Sequence, residues 1–214
     1  MEKTNKATQI PVTRTEWMAF VYRYCSSGIR IVKSTTPREW LEKRGLSIEL
    51  TGAVFNSGQI HHRREQAFKD ALAQTGFMKR ADVPVNGDVI PYTVFGVFSV
   101  MFPLRNQKGE VINFYAVRIK SDYTEYMDEE PGMYPAYPHE LTRKLFVVNN
   151  ILEAATMLQA RVLENKEAVI ALRDGKFLPE HEEAIQNLKH LKEIVFVDSP
   201  VSKPKKEKTV WGRD

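Results

Sequence analysis

Cysteine is almost absent: the 214-residue chain carries one, Cys25. A single thiol excludes an intramolecular disulfide framework and any zinc site that needs two or more cysteines. It fits a reducing cytoplasm. No run of eighteen apolar residues exists, which excludes a membrane-spanning helix. Met1 to Lys6 is polar, so a secretory signal is not expected. No internal repeat at solenoid spacing is present. Charge of one sign is also scarce. The formal net charge is +4, which permits a nucleic-acid partner without demanding one. With 43% apolar and 27% charged residues, the composition is that of a globular protein able to bury a core.

Local patterns divide the chain. Trp17, Phe20, Val21 and Tyr24 recur at helical spacing within Arg14–Tyr24, and this marks a first short helix after a loose leader. Thr36-Pro37-Arg38-Glu39 is a helix-start signal, and Gly45 supplies the stop. His61 to Thr75 reads as one amphipathic helix ended by Gly76. A loop with Pro84, Asn86-Gly87 and Pro91 follows. Phe95–Leu104 and Val111–Ile119 are apolar and β-branched around a polar turn, which predicts a hairpin. Asp122 to Pro138 reads as an irregular connector.

The last third alternates. Leu145–Val148, Ala168–Leu172 and Glu193–Val197 read as strands, with helices at Ile151–Leu163 and Pro179–Leu188 between them. That order predicts a parallel βαβαβ unit with right-handed crossovers. The fold class is therefore α/β (α+β overall). The organisation is a leader and helix at 1–35, a helix-and-hairpin part at 36–140, the parallel unit at 141–200 and a basic tail at 201–214. The tail, with Lys203, Lys205, Lys206 and Lys208, reads as disordered, adding nucleic-acid affinity or solubility.

Open parallel sheets bind ligands beyond the carboxyl ends of their strands. Here those ends are Asn149-Asn150, Arg173-Asp174-Gly175 and Asp198-Ser199-Pro200, with Glu153 one turn into the first crossover helix. Asp198 and Glu153 together could hold magnesium; the alternative is a strand end and a solvated helix residue.

Several segments resemble one family in order. Trp40-Leu-Glu-Lys-Arg-Gly-Leu-Ser47 is similar to the Tyr-Leu-x-x-Arg-Gly-Leu of bacterial replicative primases. Val54-Phe-Asn-Ser-Gly58 and Leu72–Phe77 match two further steps of that pattern. Val100-Met-Phe-Pro-Leu104 running to Arg118 resembles its Met-Phe-Pro-Ile hairpin, and Glu125-Tyr-Met-Asp128 stands at its Lys-Tyr-Leu-Asn. Leu145 to Gln159 resembles the opening of a Toprim domain, here truncated.

The resemblance implies single-stranded DNA and a replication protein or helicase as partners, in a mobile-element or phage-related setting. It implies magnesium held by carboxylates, and no zinc. It also exposes departures. Asn149 stands for the metal-binding Glu, Asn150 for the next Gly and Pro200 for the second Asp of Asp-x-Asp. Ser99 replaces a basic residue and Glu125 a lysine. No zinc-ribbon cysteines precede the core. The chain also stops where the family continues with a further strand and a helical subdomain.

Losing two of three carboxylates should cripple two-metal phosphoryl transfer. Three readings follow: a catalytically degraded nucleic-acid binder, an active primase using Glu153 and Asp198, or a non-catalytic interaction scaffold. Candidate nucleic-acid contacts are Arg44, Arg63 and Arg64 (at the expected start of the helix from His61), and Arg105, Lys108, Arg118 and Lys120 flanking the hairpin. Tyr115, Tyr123, Tyr126, Tyr134 and Tyr137 read either as base-stacking rings or as packing.

Overall fold

The computed structural model describes residues 11–30, 35–80 and 92–197. Helix α1 spans Arg14–Arg30, and Trp17, Met18, Val21, Cys25 and Ile29 are its buried face. It runs past the expected Tyr24 because Cys25 and Ile29 extend the four-residue stripe. Short helices α2 (Thr35–Glu42) and α3 (Ile48–Thr51) follow, then β1 (Val54–Asn56).

Helix α4 begins at Gln66 and ends at Gln74, later than the sequence pattern predicts. Residues 60–63 form a turn instead. Arg63 adopts a positive φ of 56°, a conformation no helix interior accepts. Asn56 fixes the entry to this turn: its amide donates to the Phe95 carbonyl at 2.7 Å and its oxygen accepts from Gly58 N at 2.8 Å. Gly58 has φ 82°, and a β-carbon there would lie 2.9 Å from Val97 Cγ1.

Strands β2 (Met78–Arg80) and β3 (Tyr92–Val94) pair antiparallel. The predicted hairpin forms as β4 (Ser99–Arg105) and β5 (Val111–Arg118). The expected connector at 122–138 contains a strand, β6 (Thr124–Tyr126), which pairs with β5. The resulting antiparallel sheet has the order β1-β4-β5-β6.

The parallel unit forms as expected. Strands β7 (Lys144–Val148), β8 (Glu167–Ala171) and β9 (Glu193–Val197) pair in the order β8-β7-β9, with α5 (Ile151–Ala160) and α6 (Pro179–Gln186) as crossovers. The fold is mixed α/β. The expected tail at 201–214 and the loop around Asn86-Gly87 lie outside the described residues.

Strand alternation divides the antiparallel sheet into two faces. Met101, Phe114 and Ala116 pack with Trp17, Val21 and Leu72. Val100, Phe102, Tyr115 and Val117 pack with Trp40 and Leu41, and with Ala154, Ala155, Val169 and Ala171 of the parallel unit. That second core is shared between the antiparallel sheet and the parallel unit. On the far side of the parallel sheet, Leu145, Val147 and Ile170 pack against Ala184 and Leu188. No described helix is long and apolar enough to cross a membrane.

Candidate functional site

The carboxyl ends of β7 and β8 meet the exit of β6. Gly175 N donates to Asn149 O at 2.7 Å, joining the two strand-end turns. Arg173 reaches across: its guanidinium lies 4.2 Å over the Tyr126 ring, and its Nη2 donates to the Asp128 carbonyl at 2.5 Å. Its Nη1 also stands 3.7 Å from Glu129.

Asp174, in the same turn, adopts φ 50°. Partial loss of hydration raises its carboxyl pKa, although Arg173 and Lys176 pull the other way. Burial, with a smaller contribution from Asp174, pushes the Tyr126 hydroxyl up. Burial also pushes Tyr115 up to about 12.

Glu153 is committed to the turn it belongs to. Its Oε2 accepts from Asn149 N at 2.9 Å and its Oε1 from Asn150 Nδ2 at 2.8 Å. In return Asn150 Oδ1 accepts from Glu153 N at 3.0 Å. This reciprocal cap satisfies backbone donors that a helix start leaves free. The Asn-x-x-Glu spacing carries that signal in the sequence.

Among the described residues no group of three metal-ligating side chains converges, Asn149 offers only a neutral amide, and each oxygen of Glu153 already accepts one hydrogen bond within the cap. Asp198, the other metal candidate, lies outside the described residues.

The cationic candidates separate into groups. Arg44 stacks 3.9 Å over Trp40 and bonds Asp122 at 2.7 Å. Asp122 N in turn donates to Arg118 O at 2.9 Å. Arg44, Arg118 and Lys120 thus gather around the β5–β6 turn, with Tyr123 57% exposed beneath Arg118.

Arg118 lines a cleft of about 270 Å³ with Lys79, Thr93, Phe95 and Glu125. Tyr126 also lines the cleft. Glu125 is the single acid among the residues that line it.

Arg105 and Lys108 sit at the other end of the hairpin. The register pairs Ser99 with Arg118 but Arg105 with Val111, so the ends lie roughly 20 Å apart at about 3.4 Å per residue. Arg105 is occupied with the Gly109 carbonyl at 2.8 Å. One groove lined by all four is not what the fold builds. Arg63 and Arg64 are exposed in the turn before α4, with Arg64 over Phe68 at 5.1 Å. They do not form a helix N-terminus. Of the five tyrosines, Tyr115 and Tyr134 are buried, Tyr126 and Tyr137 half-buried and Tyr123 exposed.

A contact the sequence does not signal is Arg14. From the first turn of α1 it donates to Ile112 O at 2.7 Å and Asp128 Oδ2 at 2.5 Å, and it also contacts Glu130. The acidic run after β6 is thereby partly neutralised from inside the protein.

No protein-family model and no curated protein sequence matches the chain. Solved structures do match. A DnaG primase catalytic domain bound to ssDNA superposes with a TM-score of 0.68 at 17% identity, covering 86% of this chain and 60% of that one. The chain has the fold of a primase catalytic core. A DNA primase domain from Pseudomonas aeruginosa gives a TM-score of 0.68 at 16% identity, over 86% of this chain and 60% of that one. The RNA polymerase domain of Mycobacterium tuberculosis DnaG, in complex with double-stranded DNA, gives 0.64 at 14% identity, over 86% and 62%. The chain therefore spans about three-fifths of the length of these primase-core structures.

Proposed function

We propose that the protein is a primase-like binder of single-stranded DNA that lacks the metal chemistry of an active primase. One observation carries this reading. At the end of β7, where the family resemblance places a metal-binding carboxylate, Asn149 stands, and the nearby Glu153 spends both oxygens on the helix cap. Phosphoryl transfer relies on metal ions to neutralise and orient the triphosphate. Arg44 on Trp40, and Arg118 and Lys120 around the β5–β6 turn, contact phosphates, and the exposed ring of Tyr123 stacks on a base. A replication protein or helicase is the partner this role calls for.

Fluorescence anisotropy with single-stranded DNA at several salt concentrations tests the binding. Measurable affinity at low salt is expected, with Arg44→Ala and Arg118→Ala each flattening the log–log salt slope by about 0.7. No binding even at low salt would sink the proposal and leave the scaffold reading. Primer synthesis with magnesium or manganese tests the chemistry. Synthesis abolished by Glu153→Ala and Asp198→Ala would make the protein an active primase instead.

A further inference from the structure

The turn that leads into β4 holds Phe98 at φ 54°. Six described residues other than glycine have positive φ, and the other five are charged. In that region the β-carbon crowds the backbone, which makes a bulky residue there an outlier. Two hydrogen bonds fix it: Phe98 N donates to the Asn56 carbonyl at 2.8 Å, and Phe98 O accepts from Ile119 N at 3.2 Å. The side chain is not used in the core. Phe98 is 58% exposed, and its described ring partner is Phe55, edge to face at 6.3 Å. A strained backbone that presents an aromatic ring to solvent gives the fold little, and such outliers gather at ligand clamps.

The surroundings of the ring say what meets it. Ile119, bonded to Phe98, is flanked by exposed Arg118 and Lys120. Ser99, the next residue after Phe98, pairs with Arg118 across β4 and β5. Arg118 N donates to the Tyr123 carbonyl at 2.8 Å, so a second exposed aromatic residue stands on the other side of β5. Exposed rings beside exposed cations suit a ligand that carries flat aromatic groups and negative charge along one chain. We infer that Phe98 stacks on a base of single-stranded DNA while Arg118 and Lys120 hold the adjoining phosphates. This assignment rests on the proposed DNA binding and adds a base platform to it.

Fluorescence anisotropy of the full chain with two oligonucleotides of equal length, one with bases and one abasic, tests it. Phe98→Asn should bind the base-bearing strand about 5- to 100-fold more weakly than wild type. Its salt slope should be unchanged, because no phosphate contact is lost. The abasic strand should bind both proteins equally. Phe98→Leu, apolar but without a ring, should lose the same affinity, and Phe98→Trp should keep it. Asparagine tolerates positive φ, so Phe98→Asn should melt no lower than wild type. Unchanged affinity of Phe98→Asn and Phe98→Leu for the base-bearing strand would overturn the inference, and so would an equal loss on the abasic strand. A wild type that binds no DNA would overturn the proposed function with it. Binding weakened by Arg118→Ala but not by Phe98→Asn would overturn this assignment alone.

Discussion

Asn150 and Glu153 cap one another, each accepting a hydrogen bond from the other across the first turn of α5. The pair fixes how the chain leaves the sheet where the crossover helix begins. Glu153→Ala removes both acceptors and should destabilise the protein by about 1–2 kcal/mol. A denaturant titration would show this as a lower midpoint with an unchanged slope. Because this carboxylate serves the cap, the melting temperature should be the same in magnesium as in chelator.

Arg14 ties α1 to a loop 114 residues away through Asp128. Its side chain and that of Asp128 are each about 30% exposed, so the charge pair is partly screened. Arg14→Ala should cost about 1–2 kcal/mol. Arg14→Lys should recover little, since a single ammonium cannot reach the Ile112 carbonyl and two carboxylates with one planar fork. Unfolding curves of Arg14→Ala, of Asp128→Asn and of the double variant would show that the two effects are not additive.

His181 is buried at the start of α6. Its Nδ1 accepts from Leu178 N at 2.9 Å, so its Nε2–H donates to Ala171 O at 3.2 Å. Burial, partly opposed by those two backbone bonds, lowers its pKa. The unfolded chain therefore takes up this proton first as pH falls, and the folded state loses stability from about pH 6.5 downward until its own lower pKa is passed. Thermal melts at pH 7.5 and pH 5.5 should differ through this group, and His181→Gln should shrink the difference.

Cys25 is enclosed by α1's neighbours, and burial pushes its thiol up to about 12. A thiol held neutral and shielded is a poor nucleophile. Native protein at pH 8 should not react with a colorimetric disulfide reagent, whereas protein in guanidinium should release one equivalent per chain.

The parallel unit was legible because its strands are short apolar runs bounded by helix-start signals, and Glu193–Val197 forms as read. β6 was not, since Thr124-Glu125-Tyr126 has no alternation of its own and pairs only because β5 offers an edge. His61–Arg64 looked helical by composition, but the left-handed Arg63 depends on the Asn56–Gly58 contacts that precede it. The cationic cluster around the β5–β6 turn required knowing which end of the hairpin each residue occupies. The Asn150-x-x-Glu153 spacing that caps α5 is the same one that sets a carboxylate near the carboxyl end of β7, so the sequence pattern alone does not separate a cap from a metal ligand.

The core shared by Val100 and Phe102 of the antiparallel sheet with Ala154 and Val169 of the parallel unit bears on how the chain can be dissected. A cut near residue 140 separates two stretches of sequence, but each fragment keeps one wall of the same interior. Neither should melt as an autonomous body. Calorimetry of the intact chain should record one cooperative transition, and a proteolytic nick there should leave two peptides travelling together.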